Sequence, residues 1–247
     1  MKRRKILKEV FRCNLWQTIR FNFKMLPFGQ ARKLPILFYG KVDFRSLKGK
    51  VQINSSVGTG MIRVGFKGEY VDTSVSETIW IINGLMVFNG PLKIARGSYF
   101  LVAKNAVLSI GTNRTYCGSH MKILCFDHIT IGDCVRMSWE CQIYDTSFHY
   151  LELTNKDNAI KPLSAPVFIG DRVWLGNRST VSKGAVIPND TVVASNSLVN
   201  KDFSQAEPFS MLAGSPASVK GVGFKRVWDR KKEAELDKHF NYQRTFL

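Results

Sequence analysis

From Ile169 onward the chain advances in steps of six. Ile169, Leu175, Val181, Ile187, Val193 and Val199 are all aliphatic, and each opens a hexad, as in Ile169-Gly-Asp-Arg-Val-Trp and Leu175-Gly-Asn-Arg-Ser-Thr. A small or β-branched residue often takes the fifth place. A step of six does not fit a helix of about 3.6 residues per turn. It fits a short strand followed by a tight corner, with one aliphatic side chain pointing inward on each face. Three such faces close a triangular coil. Residues eighteen apart, such as Ile169 and Ile187, then stack along the core. Gly, Asn and Asp at the corners supply backbone angles that other residues resist. Coil hydrogen-bonds to coil, giving an all-β parallel β-helix with a continuous core.

The same step runs earlier through Ile131, Met137 and Ile143. Further upstream, Val51-Gln52-Ile53, Met61-Ile62-Arg63-Val64, Leu92-Lys93-Ile94 and Leu108-Ser109-Ile110 alternate like strands but at irregular spacing, which predicts longer turns. The β-helix is expected over residues 49–222. Residues 1–48 form a separate basic segment. Within it Ile6, Val10, Leu15, Ile19, Phe23 and Leu26 recur at helical spacing among Lys2, Arg3, Arg4, Lys5, Lys8, Arg12, Arg20 and Lys24, and the helix or helix pair ends before Pro27. Such an element caps the open end of the β-helix or docks on a membrane surface. Residues 223–247 carry a charged helix starting near Asp229.

Charge narrows the partners. Thirty-six Lys and Arg against nineteen Asp and Glu leave a formal net charge of +17, which recruits anions. No nucleic-acid-binding module is recognisable, so the candidates are a phosphate-bearing small molecule and an anionic lipid surface. The five cysteines form no C-x-x-C pair and are odd in number, which fits reduced thiols rather than a disulfide framework. Cys141 reads as a small buried hydrophobe rather than a nucleophile. Lys8, Arg12 and Asn14 interrupt any signal-peptide core after the basic start, and no apolar run is long enough to span a bilayer. The expectation is a cytoplasmic protein, with peripheral contact at the inner face of the plasma membrane.

Between Ile143 and Ile169 the hexad count breaks, leaving a loop over 144–166. A regular repeat that ejects one long loop usually does so for function. The root of this loop carries Asp145 and, four residues on, His149. A neutral imidazole can take the proton of a hydroxyl as that oxygen attacks a thioester, and a carboxylate can orient the ring. His120 and His128 have no recognisable zinc-ligand spacing with His149, so no metal site is assigned.

The run Ser138-Trp139-Glu140-Cys141-Gln142-Ile143-Tyr144-Asp145-Thr146-Ser147-Phe148-His149 resembles the active-site signature of bacterial hexapeptide-repeat O-acetyltransferases, including the galactoside and maltose enzymes and those of capsule and O-antigen clusters. Ile169-Gly-Asp-Arg-Val-Trp174-Leu-Gly-Asn177, Val199-Asn200-Lys201-Asp202 and Ala213-Gly214-Ser215-Pro216-Ala217 extend the resemblance to Val219. It implies a left-handed β-helix, a homotrimer with sites between subunits, and acetyl-CoA as co-substrate. It makes His149 the general base with Asp145 beside it, and puts Trp174 at the acceptor pocket. Asn177, Ser195 and Asn196 would lie along the pantetheine arm, and Lys201 and Lys220 near the CoA phosphates. The departures are Ser195-Asn196 where sugar acetyltransferases often carry Ala-Gly, Ser215 in place of Asn, and Lys220 as a partial match to a basic residue.

The acceptor implied is a saccharide or a lipid-linked oligosaccharide of a surface polysaccharide. Two alternatives stay open on sequence alone. One is N-acetylation of a nucleotide-linked amino sugar or of a drug. The other is a non-catalytic β-helix scaffold.

Overall fold

A computed structural model describes residues 12–68, 76–113 and 115–242. Lys2, Arg3, Arg4, Lys5, Ile6, Lys8 and Val10 lie outside them. The chain visits three parallel sheets in rotation, as a triangular coil requires. The first face carries Ile36–Phe38, Ile62–Phe66, Leu92–Ala95, Thr115–Cys117, Arg136–Met137, Trp174–Leu175 and Val192–Val193, and ends in the antiparallel hairpin of Met211–Gly214 with Ala217–Gly221. The second runs from Val42–Leu47 through Gln142–Tyr144 to Leu198–Val199. The third runs from Lys50–Ile53 through Val167–Ile169 to Val186–Ile187.

The register follows the hexads. Ile169 pairs with Ile187, Leu175 with Val193 and Val181 with Val199. All six are at most 2% exposed, and the fifth-place residues Val173, Ser179, Ala185, Thr191 and Ser197 are buried with them. At the corner between the third and first faces, side chains rather than turns alone join the coils. Asp133 accepts from the Thr112 N–H at 2.7 Å, Asp171 from the Asp133 N–H at 2.8 Å, and Asn189 from the Asp171 N–H at 2.7 Å.

Gly184 at φ 75° and Asn196 at φ 56° take the left-handed corner backbone as expected, but Gly132 and Gly170 serve a different purpose. Left-handed backbone falls on Cys134, Arg172 and Asp190, two residues after Gly132, Gly170 and Pro188. At Gly170 a Cβ would meet Asn189 Oδ1 at 2.5 Å and Asn189 N at 2.7 Å. Close approach of the next coil, not φ, excludes a side chain there.

The sheets begin at Ile36 rather than at residue 49, because Ile36–Phe38 and Val42–Leu47 pair with Ile62–Phe66 and Thr78–Ile82. Their partners lie more than eighteen residues away, so the hexad count passes over them. These wide coils enclose an aromatic core in which Trp80 stacks on Phe100 at 5.8 Å and meets Phe21 edge-on at 5.4 Å.

Phe21 comes from the helix Leu15–Met25, whose N-terminus Asn14 caps by accepting from Gln17 N–H. This helix covers the exposed edge of the first face. The Asn22 amide donates to Ile36 O at 2.7 Å and accepts from Ile36 N–H at 3.2 Å, and Thr18 Oγ1 accepts from Phe38 N–H at 3.1 Å. Two buried polar side chains thus stand in for a missing strand and close the edge. Leu15, Ile19 and Phe23, which carry the helical spacing, face outward instead.

At the other end the helix Arg230–His239, capped by Asp229, buries none of its residues. Among the described residues no helix is long and apolar enough to cross a membrane.

Candidate active site

The long loop leaves the corner between the second and third faces, after Gln142–Tyr144 and before Val167–Ile169. Across it the pairing separation is 38 residues, as in Ile143 with Val181, against 20 from Ile123 to Ile143 and 18 from Val181 to Val199. The loop root is closed by its own backbone and by side chains. Ser147 N–H donates to Leu163 O at 2.9 Å, Ala165 N–H to Asp145 O at 2.9 Å, and Thr146 bridges Ser164. Further out, Glu152–Leu153 and Ala159–Ile160 form a small exposed hairpin.

Phe148 stands in the left-handed region at φ 60°. For a bulky side chain this costs roughly 1–2 kcal/mol and needs local support. Its N–H donates to Thr146 Oγ1 at 3.1 Å, and its ring meets Phe126 edge-on at 5.7 Å. His149 follows at once. It is exposed, Ser147 Oγ donates to its carbonyl at 3.1 Å, and its imidazole makes no hydrogen bond within the described residues.

Asp145 is held elsewhere. Its carboxylate is fully buried, and its two oxygens accept from the backbone N–H groups of Phe126 at 2.7 Å and Asp127 at 2.8 Å. The structure gives it a bracing role in the coil beneath the loop, with no bond to the imidazole. Its charge and the burial of the site push the neighbouring Cys125 thiol up, burial contributing most. Cys141 is buried, donates to Gly176 O at 3.1 Å, and is pushed up to about 12 by burial, which leaves no thiolate for nucleophilic attack near neutral pH.

Trp174, Asn177, Ser195 and Asn196 gather at a different corner, between the first and second faces. Trp174 is 38% exposed and its indole N–H donates to Ser138 Oγ at 3.3 Å. Ser195 Oγ donates to Asn177 Oδ1 at 2.6 Å, and Asn196 N–H to Asn177 O at 3.0 Å. Arg136 precedes Trp174 in register, its guanidinium 4.5 Å from the Tyr116 ring. Lys201 lies at the corner of the His149 loop, its ammonium 5.1 Å from the Phe203 ring, and Lys220 is exposed on the terminal hairpin. One chain therefore brings the Trp174 cluster together but separates it from His149 by the whole second face.

Sequence reasoning missed Lys183. Its ammonium donates to Ser147 Oγ at 3.0 Å and to Pro162 O at 2.6 Å, fastening the loop root. The signal was available, since Lys183 occupies the corner position one coil after Asp145. Missed as well was Glu140, which accepts from Arg178 at 2.6 Å across the first-to-second corner.

No protein-family model matches the chain. An uncharacterized 24.8 kDa protein in the cps region of Klebsiella pneumoniae is 30% identical over 217 residues, 87% of this chain and 91% of the relative. Galactoside O-acetyltransferase of Escherichia coli (strain K12) is 27% identical over 145 residues, 59% of this chain and 63% of the relative. The crystal structure of the polySia specific acetyltransferase NeuO matches with a TM-score of 0.53 at 18% identity, covering 81% of this chain and 93% of that one, and shows the same fold. The chain belongs to one family with the Klebsiella pneumoniae cps-region protein, and its fold is the left-handed β-helix of hexapeptide-repeat acetyltransferases.

Proposed function

We propose that the protein moves an acetyl group from acetyl-CoA to a hydroxyl of a saccharide in a bacterial surface polysaccharide precursor, with His149 as general base. The observation that carries this reading is the imidazole itself. It is exposed at the break in the downstream hexads, on a strained root that five hydrogen bonds fasten, with no partner among the described residues. A neutral imidazole takes the hydroxyl proton as the oxygen attacks the thioester carbonyl. A C–O bond forms, the C–S bond breaks, and the leaving sulfur receives the proton from the imidazolium. The galactoside O-acetyltransferase relative supports a saccharide acceptor.

The polar corner of Asn177 and Ser195 suits an acyl-CoA. With the Ser195 hydroxyl bonded to Asn177 Oδ1, the Asn177 amide hydrogens stay available to the amide oxygens of a pantetheine arm. Lys201 and Lys220 supply positive charge for its phosphates. Because that corner and His149 lie a face apart, the reading requires a homotrimer in which His149 of one subunit faces Trp174 and Asn177 of the next. The large positive charge supports an acceptor carried on a lipid at the inner face of the plasma membrane.

The test is acetyl-CoA turnover with candidate glycans, comparing wild type with His149→Ala. A loss of about 100-fold or more is expected, the scale for removing a general base. Undiminished turnover would sink the mechanism.

A further inference from the structure

The N-terminal helix has two apolar faces, and the fold uses one. Phe21 and Met25 point into the β-helix beside the buried Thr18 and Asn22. Beside that face Leu15, Trp16, Ile19 and Phe23 are exposed, and Phe28 of the following turn joins them, its ring 6.0 Å from that of Phe23. Trp16 is 73% exposed and Phe28 is 72% exposed, unusual values for side chains this large. At the helical repeat, Leu15, Ile19, Phe23 and Trp16 cover an arc of about 100°, and Arg20 and Lys24 follow directly beside it.

Cations dominate around this patch, the nearby Asp43 being paired with Arg45. From residue 10 to residue 42 the sequence contains no Asp or Glu, while Arg12, Arg20, Lys24, Arg32 and Lys33 are all exposed. A surface rimmed by cations calls for a partner of negative charge, which an anionic bilayer supplies over its whole area. Aromatic and aliphatic side chains flanked mainly by cations fit the boundary between anionic headgroups and acyl chains, where Trp is favoured.

We infer that this outer face is a docking surface for an anionic phospholipid bilayer. The same short helix caps the β-helix with Phe21, Thr18 and Asn22 and seats the protein on the membrane with Trp16, Phe23 and Phe28. The inference deepens the reading of a membrane-borne acceptor and rests on it only for its purpose, since docking needs neither acyl donor nor acceptor.

The experiment is co-sedimentation of the full chain with vesicles of phosphatidylcholine alone and of phosphatidylcholine mixed with phosphatidylglycerol. Binding is expected only to the mixed vesicles and is expected to weaken with salt. Arg20→Glu with Lys24→Glu should reduce it by roughly 30-fold or more. Trp16→Ser with Phe23→Ser and Phe28→Ser should abolish it while acetyl transfer to a soluble glycan stays unchanged. As a measurement on a folded variant with the apolar face intact, quenching of tryptophan fluorescence by brominated lipid should fall in Trp16→Phe.

Equal binding to both vesicles, binding unaffected by these substitutions, or quenching unchanged in Trp16→Phe would overturn the inference. So would a change of oligomeric state in the triple variant with vesicle binding intact, which would make a second copy the occupant. Loss of turnover in His149→Ala bears on the catalytic reading alone.

Discussion

Lys183 reaches across one coil of the β-helix to Ser147, placing its ammonium 3.0 Å from the hydroxyl that in turn donates to the carbonyl of His149. The ammonium also donates to Pro162 O, so one cation holds both strands of the loop root. A hydrogen bond to a charged donor contributes about 1.5–3 kcal/mol. Lys183→Met should therefore loosen the root without disturbing the core. Turnover is expected to fall about tenfold through kcat, with KM for acetyl-CoA little changed. Lys183→Arg should restore part of it. Limited proteolysis within 150–162 should accelerate in the Met variant. A kcat equal to wild type would remove Lys183 from the positioning of His149.

Asp145 offers a sharper test, because two roles predict different things. Its buried carboxylate accepts two backbone N–H groups. In Asp145→Ala those donors lose their partner in a site closed to water, at a cost of about 2–4 kcal/mol. The thermal midpoint should drop by several degrees. Were the carboxylate an orienter of the imidazole, a well-folded variant would instead show a lost or displaced pH–rate profile. The structure predicts the fall in stability.

The buried thiols fix how the protein responds to alkali. Cys141 is raised from an ordinary 9.0 to about 12, and Cys117 and Cys125 are raised by burial too. Below pH 9 these thiols are protonated both folded and unfolded, so they add nothing to the pH dependence. Above it the unfolded chain loses protons that the folded chain keeps. Stability should fall as pH rises from about 9 toward 12, by up to about 1.4 kcal/mol per pH unit for each thiol. Denaturant midpoints across that window measure it. A flat profile would mean the thiols ionise within the fold.

How much of this was legible depends on what each signal encodes. The hexads encode which residues point inward, so the stacking of Ile169 on Ile187 and the loop at 144–166 could be read directly. They do not encode coil width, which is why the strands at Ile36–Phe38 and Val42–Leu47 fell outside the expected β-helix. A helical stripe marks an apolar face without saying what lies against it. Leu15, Ile19 and Phe23 formed the visible stripe, yet the edge strand needed hydrogen-bond partners, and Thr18 and Asn22 turned inward to provide them. Spacing was equally silent about Asp145, which stands four positions before His149 but turns its side chain to Phe126 and Asp127 in the coil below.

The glycines make a related point about the corners. At Gly170 a methyl group would lie 2.5 Å from Asn189 Oδ1 and 2.9 Å from Pro188 C, and the Asn189 side chain is already engaged with the Asp171 N–H. Gly170→Ala should push the coils apart and cost about 2–4 kcal/mol, as overpacking does in tight sites. Gly29, with nothing within 4 Å, is the control. A helical Gly→Ala change there should be neutral or stabilising by up to about 1 kcal/mol. Thermal melts of the two variants give the comparison, and equal midpoints would refute the close-approach account.

Finally, the separation of His149 from Trp174 bears on assembly. His149 stands at the corner between the second and third faces, while Trp174 stands on the first face beside the opposite corner. If catalysis needs both, each site takes one from each of two subunits, and two inactive variants can complement. Trp174→Ala removes the indole that donates to Ser138 Oγ. His149→Ala removes the proposed base. Each alone should be weakly active, and mixing the purified variants without subunit exchange should change nothing. Co-expression should allow random assembly, in which about one quarter of interfaces unite an intact His149 with an intact Trp174. Turnover should then recover to about a quarter of the wild-type level per site. Recovery to that level would establish a shared site, whereas co-expressed protein no more active than the simple average of the two variants would confine the site to one chain.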